Sequence, residues 1–312
     1  MTGILFSRKA CIEMDKGMNL FHEVFRIAKN HFIIMKGVTR LKNELTEQEK
    51  LKPYAKYFYR EPAAPDAALL VKLEKPINQE QALLPENTND LLQPGYMEVE
   101  AGWCILPNGA GFAANLTQMP GVTVEMINWW FAWHALEDLR YKIWWPAGHY
   151  SAAVSPEDRT KILDAKRPLT EKFQGLTHHV VEDVGAGKED IFINFLTPED
   201  MGFEMRRFKA PHAGTLVAAN GVSSPLGAPV GTLKAPAIMC HFVREIAGGV
   251  ELRTRFWMGY HMVDKKPKLL LLPGVIIPEI APKSLAIHNV LEYTNLASFL
   301  PELYAEQRGI IV

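Results

Sequence analysis

Apolar residues change their spacing along this chain, and each change marks a different kind of element. Phe21, Val24, Phe25 and Ile27 recur at roughly helical spacing, and Leu45 to Lys52 is polar and helix-prone up to the breaker Pro53. Residues 1 to about 60 therefore read as partly helical. Residues 61–95 lose that period: EPAAPDAA leads into a Pro-, Asn- and Gln-rich stretch with the composition of a linker or wrapping arm. A boundary near 95 divides the chain into an N-terminal helical region with its arm, 1–95, and a main domain, 96–312. In the main domain Ala110–Gln118 predicts a strand after the turn Pro107-Asn108-Gly109. Pro120-Gly121 then opens a long helix, about Thr123 to Trp145, stopped by Pro146. Ser155-Pro156-Glu157-Asp158 starts a second helix, with a Ser cap, Pro at the first position and acids in the first turn; it should end before Pro168.

Strand-like segments follow at Leu176–Val184, Asp190–Leu196, Gly202–Lys209, Gly214–Ala219, Ala237–Ile246 and Val250–Met258. Gly248-Gly249 suits a hairpin turn between the last two. Ser284 caps a final helix from Leu285 to about Leu300. This order, β-α-α-β-β-β-β-β-β-α, predicts an α+β fold in which a curved antiparallel sheet grips a long C-terminal helix. That helix-grip arrangement is the Bet v 1-like fold, here with a smaller, mostly helical N-terminal region.

Composition narrows the function classes. The 312 residues suit one large unit with a small one, and 48% hydrophobic with 22% charged residues is a soluble globular profile. The formal net charge is −1 and no dense Lys/Arg stripe occurs, so neither nucleic acid nor an anionic membrane is an expected partner. Cys11, Cys104 and Cys240 are far apart and in no CxxC arrangement, which argues against a disulfide framework or an all-thiolate zinc site. The N-terminus lacks a signal peptide's apolar core, and the apolar run Leu269 to Ile280 is too short to span and holds Pro273 and Pro278. A cytoplasmic location is the expectation.

Four polar signals stand out. His288 and Glu292 lie one turn apart on a helix face that Leu285, Leu296 and Phe299 roughly share. Buried there, they are either a hydrogen-bonded pair or metal ligands. His134 sits among Trp129, Trp130 and Trp133, and Trp130, His134, Glu137 and Tyr141 fall on one helical stripe. That stripe is either an aromatic core with one satisfied histidine or a functional face. In GLTHHVVEDVG, His178, Val180 and Glu182 share one face of a strand; the face is either solvated or turned inward. His241 on a late strand either lines the interior or is an ordinary strand histidine. His149, after Pro146, is expected to pack at the helix end.

The segments WWFAWHALEDLRYKIWWPAGHY, THHVVEDVG, HFVREIAGGVELRTRFWMG and IHNVLEYTNLASFLPELYAE follow one another in order. Together, over roughly 96–312, they resemble the 2,4-diacetylphloroglucinol hydrolase and phloretin hydrolase family. The resemblance implies a Bet v 1-like catalytic domain with one zinc. It implies a hydrolase that cleaves the C–C bond between an acyl group and a polyhydroxylated aromatic ring by metal-activated water attacking the ketone. The substrate would be a small aromatic ketone of acylphloroglucinol or phloretin type, and the protein a homodimer. The ligands it implies are a histidine from the long helix, a glutamate from an early strand and a His/Glu pair on the last helix: His134, Glu182, His288 and Glu292. The segment 152–172 is longer than the family pattern, so Glu171 and His178 stand as alternatives to Glu182.

Two positions depart from the family. Met126 stands where a Tyr or Asp precedes the helix histidine by two turns, and Glu137 where an amide follows it by one. Both positions touch the phenolic ring or its acyl group in the family, so the departures bear on the substrate. The expected substrate-binding residues are Met126, Glu137, His178 and His241. Cleavage of an aryl ketone also needs protonation of the ring carbon, and Glu137 and His241 are the acid/base candidates. Two His and two carboxylates form a mixed set typical of catalytic zinc. The competing readings are a non-catalytic or cyclase-like helix-grip protein binding an aromatic ligand, and an iron oxygenase or isomerase.

Overall fold

A computed structural model describes residues 43–232 and 234–310. Cys11 and the helical pattern of Phe21, Val24, Phe25 and Ile27 lie outside these residues. In chain order the described elements begin with helices α1 (Glu47–Lys50) and α2 (Ala67–Lys72), then strands β1 (Gly102–Ile105) and β2 (Gly111–Pro120). Helices α3 (Val124–Trp133) and α4 (Asp138–Lys142), strand β3 (His149–Val154) and helix α5 (Pro156–Leu163) follow. Strands β4 (Thr177–Asp183), β5 (Lys188–Leu196), β6 (Thr215–Pro225), β7 (Ala235–Ile246) and β8 (Gly249–Met258) complete the main sheet. The small hairpin of β9 (Tyr260–Val263) and β10 (Lys266–Leu269) precedes the long helix α6 (Ile280–Gln307).

Eight strands form one antiparallel sheet in the order β1-β2-β8-β7-β6-β5-β4-β3. Alternation along each strand sends side chains to two different cores. Val217, Ala219, Val243, Val250 and Leu252 join the tryptophans of α3 and the apolar side of α6 on the inner face. Leu216, Ala218, Cys240, Phe242 and Trp257 join Leu83, Leu91 and Leu92 on the outer face. The Pro-, Asn- and Gln-rich stretch is thus an arm laid across the back of the sheet. Trp257 Nε1 donates to the Leu83 carbonyl at 2.7 Å, and Arg253 Nη1 to the Leu91 carbonyl at 3.0 Å.

Helix α6 touches strands from distant places in the sheet. Asn115 of β2 donates to the Ala286 carbonyl at 2.8 Å, and His149 of β3 faces His288 at 3.3 Å. A sheet that reaches one helix from both β2 and β3 must curl around it. Among the described residues no helix is long and apolar enough to cross a membrane.

Several expectations hold. Strands lie where β2 and β4–β8 were expected, Gly248 has φ +82° in the β7–β8 turn, and Ser155 caps α5 by accepting from Asp158 N at 3.0 Å. Others are corrected. The single helix Thr123 to Trp145 is two: after α3 a 3-10 turn, His134–Leu136, leads into extended Glu137 (φ −154°, ψ 143°), and α4 starts afresh. The break is stabilised by Arg140, whose Nη1 donates to the Trp133 carbonyl at 3.1 Å, an end-of-helix acceptor that a continuous helix would have satisfied itself. The segment Gly202–Lys209 is a run of turns instead of a strand. Asn89 takes the Gly202 carbonyl and the Glu204 N–H, groups a ladder would need, and Phe203 and Phe208 pack on Phe242. The last helix starts at Ile280, with Pro282 in its first turn, so Ser284 is inside it and caps nothing.

Candidate metal centre

Four side chains converge where β3, β4 and α6 meet. His149 and Glu182 are paired positions of β3 and β4, so the register itself sets them side by side. Gly148 permits this approach: a Cβ there would lie 2.7 Å from the Asp183 carbonyl oxygen and 2.9 Å from Trp145 Cδ1. From α6, His288 and Glu292 point at the same spot from successive turns. His149 Nε2 lies 3.3 Å from His288 Nε2, 3.5 Å from Glu292 Oε2 and 3.6 Å from Glu182 Oε2, and His288 Nε2 is 3.8 Å from Glu292 Oε2. Among the described residues, His149, His288 and Glu292 form the group whose ligand atoms all lie within 4.8 Å of one another, as a metal ion requires. All four side chains are 86–100% shielded from solvent, since the most exposed, Glu182, shows 14%.

The surroundings orient each donor. Tyr141 stacks on His149 with ring centroids 4.0 Å apart, and its carbonyl oxygen lies 3.3 Å from His149 Nδ1. A carbonyl can only accept, so Nδ1 carries the proton and Nε2 turns its lone pair to the cluster. The Tyr141 hydroxyl donates to Glu182 Oε2. Asn289 Nδ2 donates to Glu292 Oε1 at 3.3 Å, and Asn115 Nδ2 holds Asn289 Oδ1 at 3.1 Å.

Burial governs the electrostatics. It pushes Glu182 up to about 7 against the Tyr141 hydrogen bond, and with the Glu182 charge beside it drives Glu292 well above the usual carboxylate range. It holds His288 down at about 4 and, with His288 adjacent, His149 well below its ordinary value. The cluster therefore offers neutral imidazoles, and two carboxylates that ionise only against compensation. A cation among these donors would supply it.

The remaining expected site residues go elsewhere. His134 is buried one layer away: its Nδ1 donates to the Trp130 carbonyl at 2.8 Å, and its ring reaches Tyr141 at 5.8 Å without joining the donors. Its companion stripe is broken by the turn at 134–137. Glu137 points to Tyr54 (2.5 Å), Lys52 (3.1 Å) and Arg140 (3.2 Å), away from the cluster. Met126 is in the first turn of α3, half-buried against the core. His178 and Val180 show that the even face of β4 turns inward, as Glu182 requires; His178 lies against Phe195 and His134. Glu171 is exposed on a 3-10 turn. His241 is buried on the inner face, its Nδ1 2.9 Å from the Thr254 hydroxyl. His149 is the residue sequence reasoning missed. It packs at the end of α4, as expected, against Tyr141 and with its N–H on the Trp145 carbonyl at 2.9 Å; but it also opens β3, and no local spacing ties it to residues 182 or 288.

Comparison with known proteins decides the family. The DAPG hydrolase PhiG domain matches residues 83–305. The chain belongs to this family. It is 35% identical over 266 residues to the phloretin hydrolase of Eubacterium ramulus, covering 84% of this chain and 93% of that protein. It is 31% identical over 267 residues to 2,4-diacetylphloroglucinol hydrolases of a Pseudomonas species and of Pseudomonas protegens, covering 82% of this chain and 88% and 84% of theirs. The family match includes the arm from residue 83 and every member of the donor cluster.

Proposed function

We propose that this DAPG hydrolase family member is a zinc-dependent hydrolase that cleaves the C–C bond between an acyl group and a polyhydroxylated aromatic ring. The ligands in this reading are His149, Glu182, His288 and Glu292, with His149 replacing His134. The observation that carries it is the convergence of His149 Nε2, His288 Nε2 and Glu292 Oε2 in a buried site, with Glu182 Oε2 3.6 Å from His149 Nε2. Donors about 2.0–2.2 Å from a tetrahedral zinc stand about 3.3–3.6 Å apart, and the distances from His149 Nε2 to its three neighbours, 3.3, 3.5 and 3.6 Å, match those edges. The helix held by a curled antiparallel sheet supports a Bet v 1-like reading of the fold.

Bound zinc would supply Lewis acidity and lower the pKa of a coordinated water. The chain's own residues do the rest. Tyr141, Asn289 and Asn115 hold the carboxylates in place, and the tryptophans of α3 with Trp144 keep bulk water from the site. In the overall reaction a water oxygen adds to the side-chain carbonyl carbon and the ring–carbonyl bond breaks. The electron pair goes to the ring, and the ring carbon takes a proton. The products are a carboxylic acid and the deacylated phenol. His241, neutral and with one nitrogen engaged by Thr254, is the group proposed to move the proton at the ring carbon; Glu137, held by Lys52, Tyr54 and Arg140, is left out of the chemistry. The test is a panel of acylphloroglucinols, phloretin and simple aryl ketones, with released acid measured with and without chelator. Acid release from the polyhydroxylated substrates that stops on chelation is expected. Failure to cleave any of them with zinc bound overturns the proposal.

A further inference from the structure

The inner face of the sheet carries more polar groups than the donor cluster uses. Asn115 of β2 and His241 of β7 are both paired with Thr254 of β8, from either side. Paired positions present their side chains to the same face, so the three form a polar row across adjacent strands. All three are buried. Helix α6 lies over this row. Asn289 accepts from Asn115 Nδ2, and Tyr293, one turn on, sets its ring 4.9 Å from that of His241. The charges of Glu292 and Glu182 reach the Tyr293 hydroxyl and help to push it up, so the row and the donor cluster adjoin.

Three polar atoms here have no hydrogen-bond partner among the described residues: the Tyr293 hydroxyl, Asn115 Oδ1 and Thr117 Oγ1. Tyr293 and Asn115 are fully buried and Thr117 shows 6% exposure. Such atoms are rare in folded proteins, because a buried polar group without a partner is worse than an apolar group of the same shape. Phenylalanine would fill the place of Tyr293 with no hydrogen bond lost inside the protein. The hydroxyl is explained if a ligand meets it. The row offers a hydroxyl that donates, an amide oxygen that accepts and a second hydroxyl able to do either.

We infer that Tyr293 and Asn115 form a subsite for the ring hydroxyls of a polyhydroxylated phenol. Tyr293 donates to one phenolic oxygen, and Asn115 Oδ1 accepts from another hydroxyl. The inference rests on the proposed function, which requires a hydroxylated ring, and names the groups that read it. A site built around such hydrogen bonds discriminates strongly, since a ligand that cannot complete them leaves buried groups unpaired.

The experiment is calorimetric binding of phloroglucinol to the full-length, zinc-loaded protein and to its Tyr293→Phe variant, with zinc content, melting temperature and acid release measured alongside. Phloroglucinol should bind the unmodified protein, and Tyr293→Phe should weaken it about tenfold or more with zinc content unchanged and no fall in melting temperature. The inference is overturned by affinities within about twofold of each other, by no binding to the unmodified protein, or by a loss that accompanies lost zinc or a lower melting temperature. If the protein binds phloroglucinol as described yet cleaves no acylated phenol, the subsite stands and the hydrolase reading fails.

Discussion

The two faces of the main sheet bury charge in opposite ways. On the outer face Glu100 receives Arg253 Nη2 at 2.5 Å and Arg255 Nη2 at 2.7 Å, and Arg244 pairs with Glu251. Burial pushes the Glu100 carboxyl up, but the hydrogen bonds and charges of the two arginines outweigh it and hold the group below its usual value. Every buried carboxylate of this network has a cation from the protein itself. On the inner face Glu182 and Glu292 have histidines, tyrosines, an asparagine and other carboxylates for neighbours, with no lysine or arginine in ion-pair range among the described residues, and both are pushed up by burial. A network compensated from within fastens the arm to the sheet. A network left uncompensated is where the proposed cation and ligand would sit.

The largest effect that tests this contrast is removal of a cluster histidine. His149→Ala should lose the bound metal and lower turnover by about a thousandfold, the scale of a missing electrostatic group in an active site, whereas His134→Gln should keep its metal. Elemental analysis with kinetics checks both, and the reverse outcome breaks the contrast. Next is Glu100→Gln, which leaves Arg253 and Arg255 buried without a full counter-charge. It should destabilise by about 3 kcal/mol in denaturant melts with zinc content and kcat of the folded protein unchanged. Altered zinc content would show the faces to be coupled.

A graded effect is the response to pH, read as a slope. Burial holds His241 at about 3 and His134 at about 4, below the ordinary value of about 6.5. Below pH 6.5 the unfolded chain binds protons that the folded chain refuses. The stability these residues contribute is complete above about pH 6.5 and is lost as pH falls towards those folded values, by about 1.4 kcal/mol per pH unit for each histidine. Denaturant melts between pH 7 and 4 should show this slope, and His241→Gln should flatten it. An unchanged slope would mean that His241 is not held neutral.

Half of the cluster was legible because it is local. His288 and Glu292 are one turn apart, and the alternation of THHVVED puts Glu182 on one face of its strand whatever surrounds it. The turn residues around 248 and the cap at Ser155 are equally local, and both appear where expected. His134 drew attention for a local reason too, its place among tryptophans, but nothing near it in sequence reveals that its ring packs one layer behind the donors.

By itself, then, the order of residues determined the strand-rich body, the long final helix and the shared helix face of His288 and Glu292, since periodicity and capping act over a few residues; that these two and Glu182 belong to one site came from the family resemblance. Only the tertiary structure decided the fourth donor. His149 reaches the cluster through the β3–β4 register and the close approach allowed at Gly148, and Glu137 is drawn away by Tyr54, a residue 83 positions earlier in the chain. Those are contacts between segments distant in sequence, and no spacing within either segment encodes them.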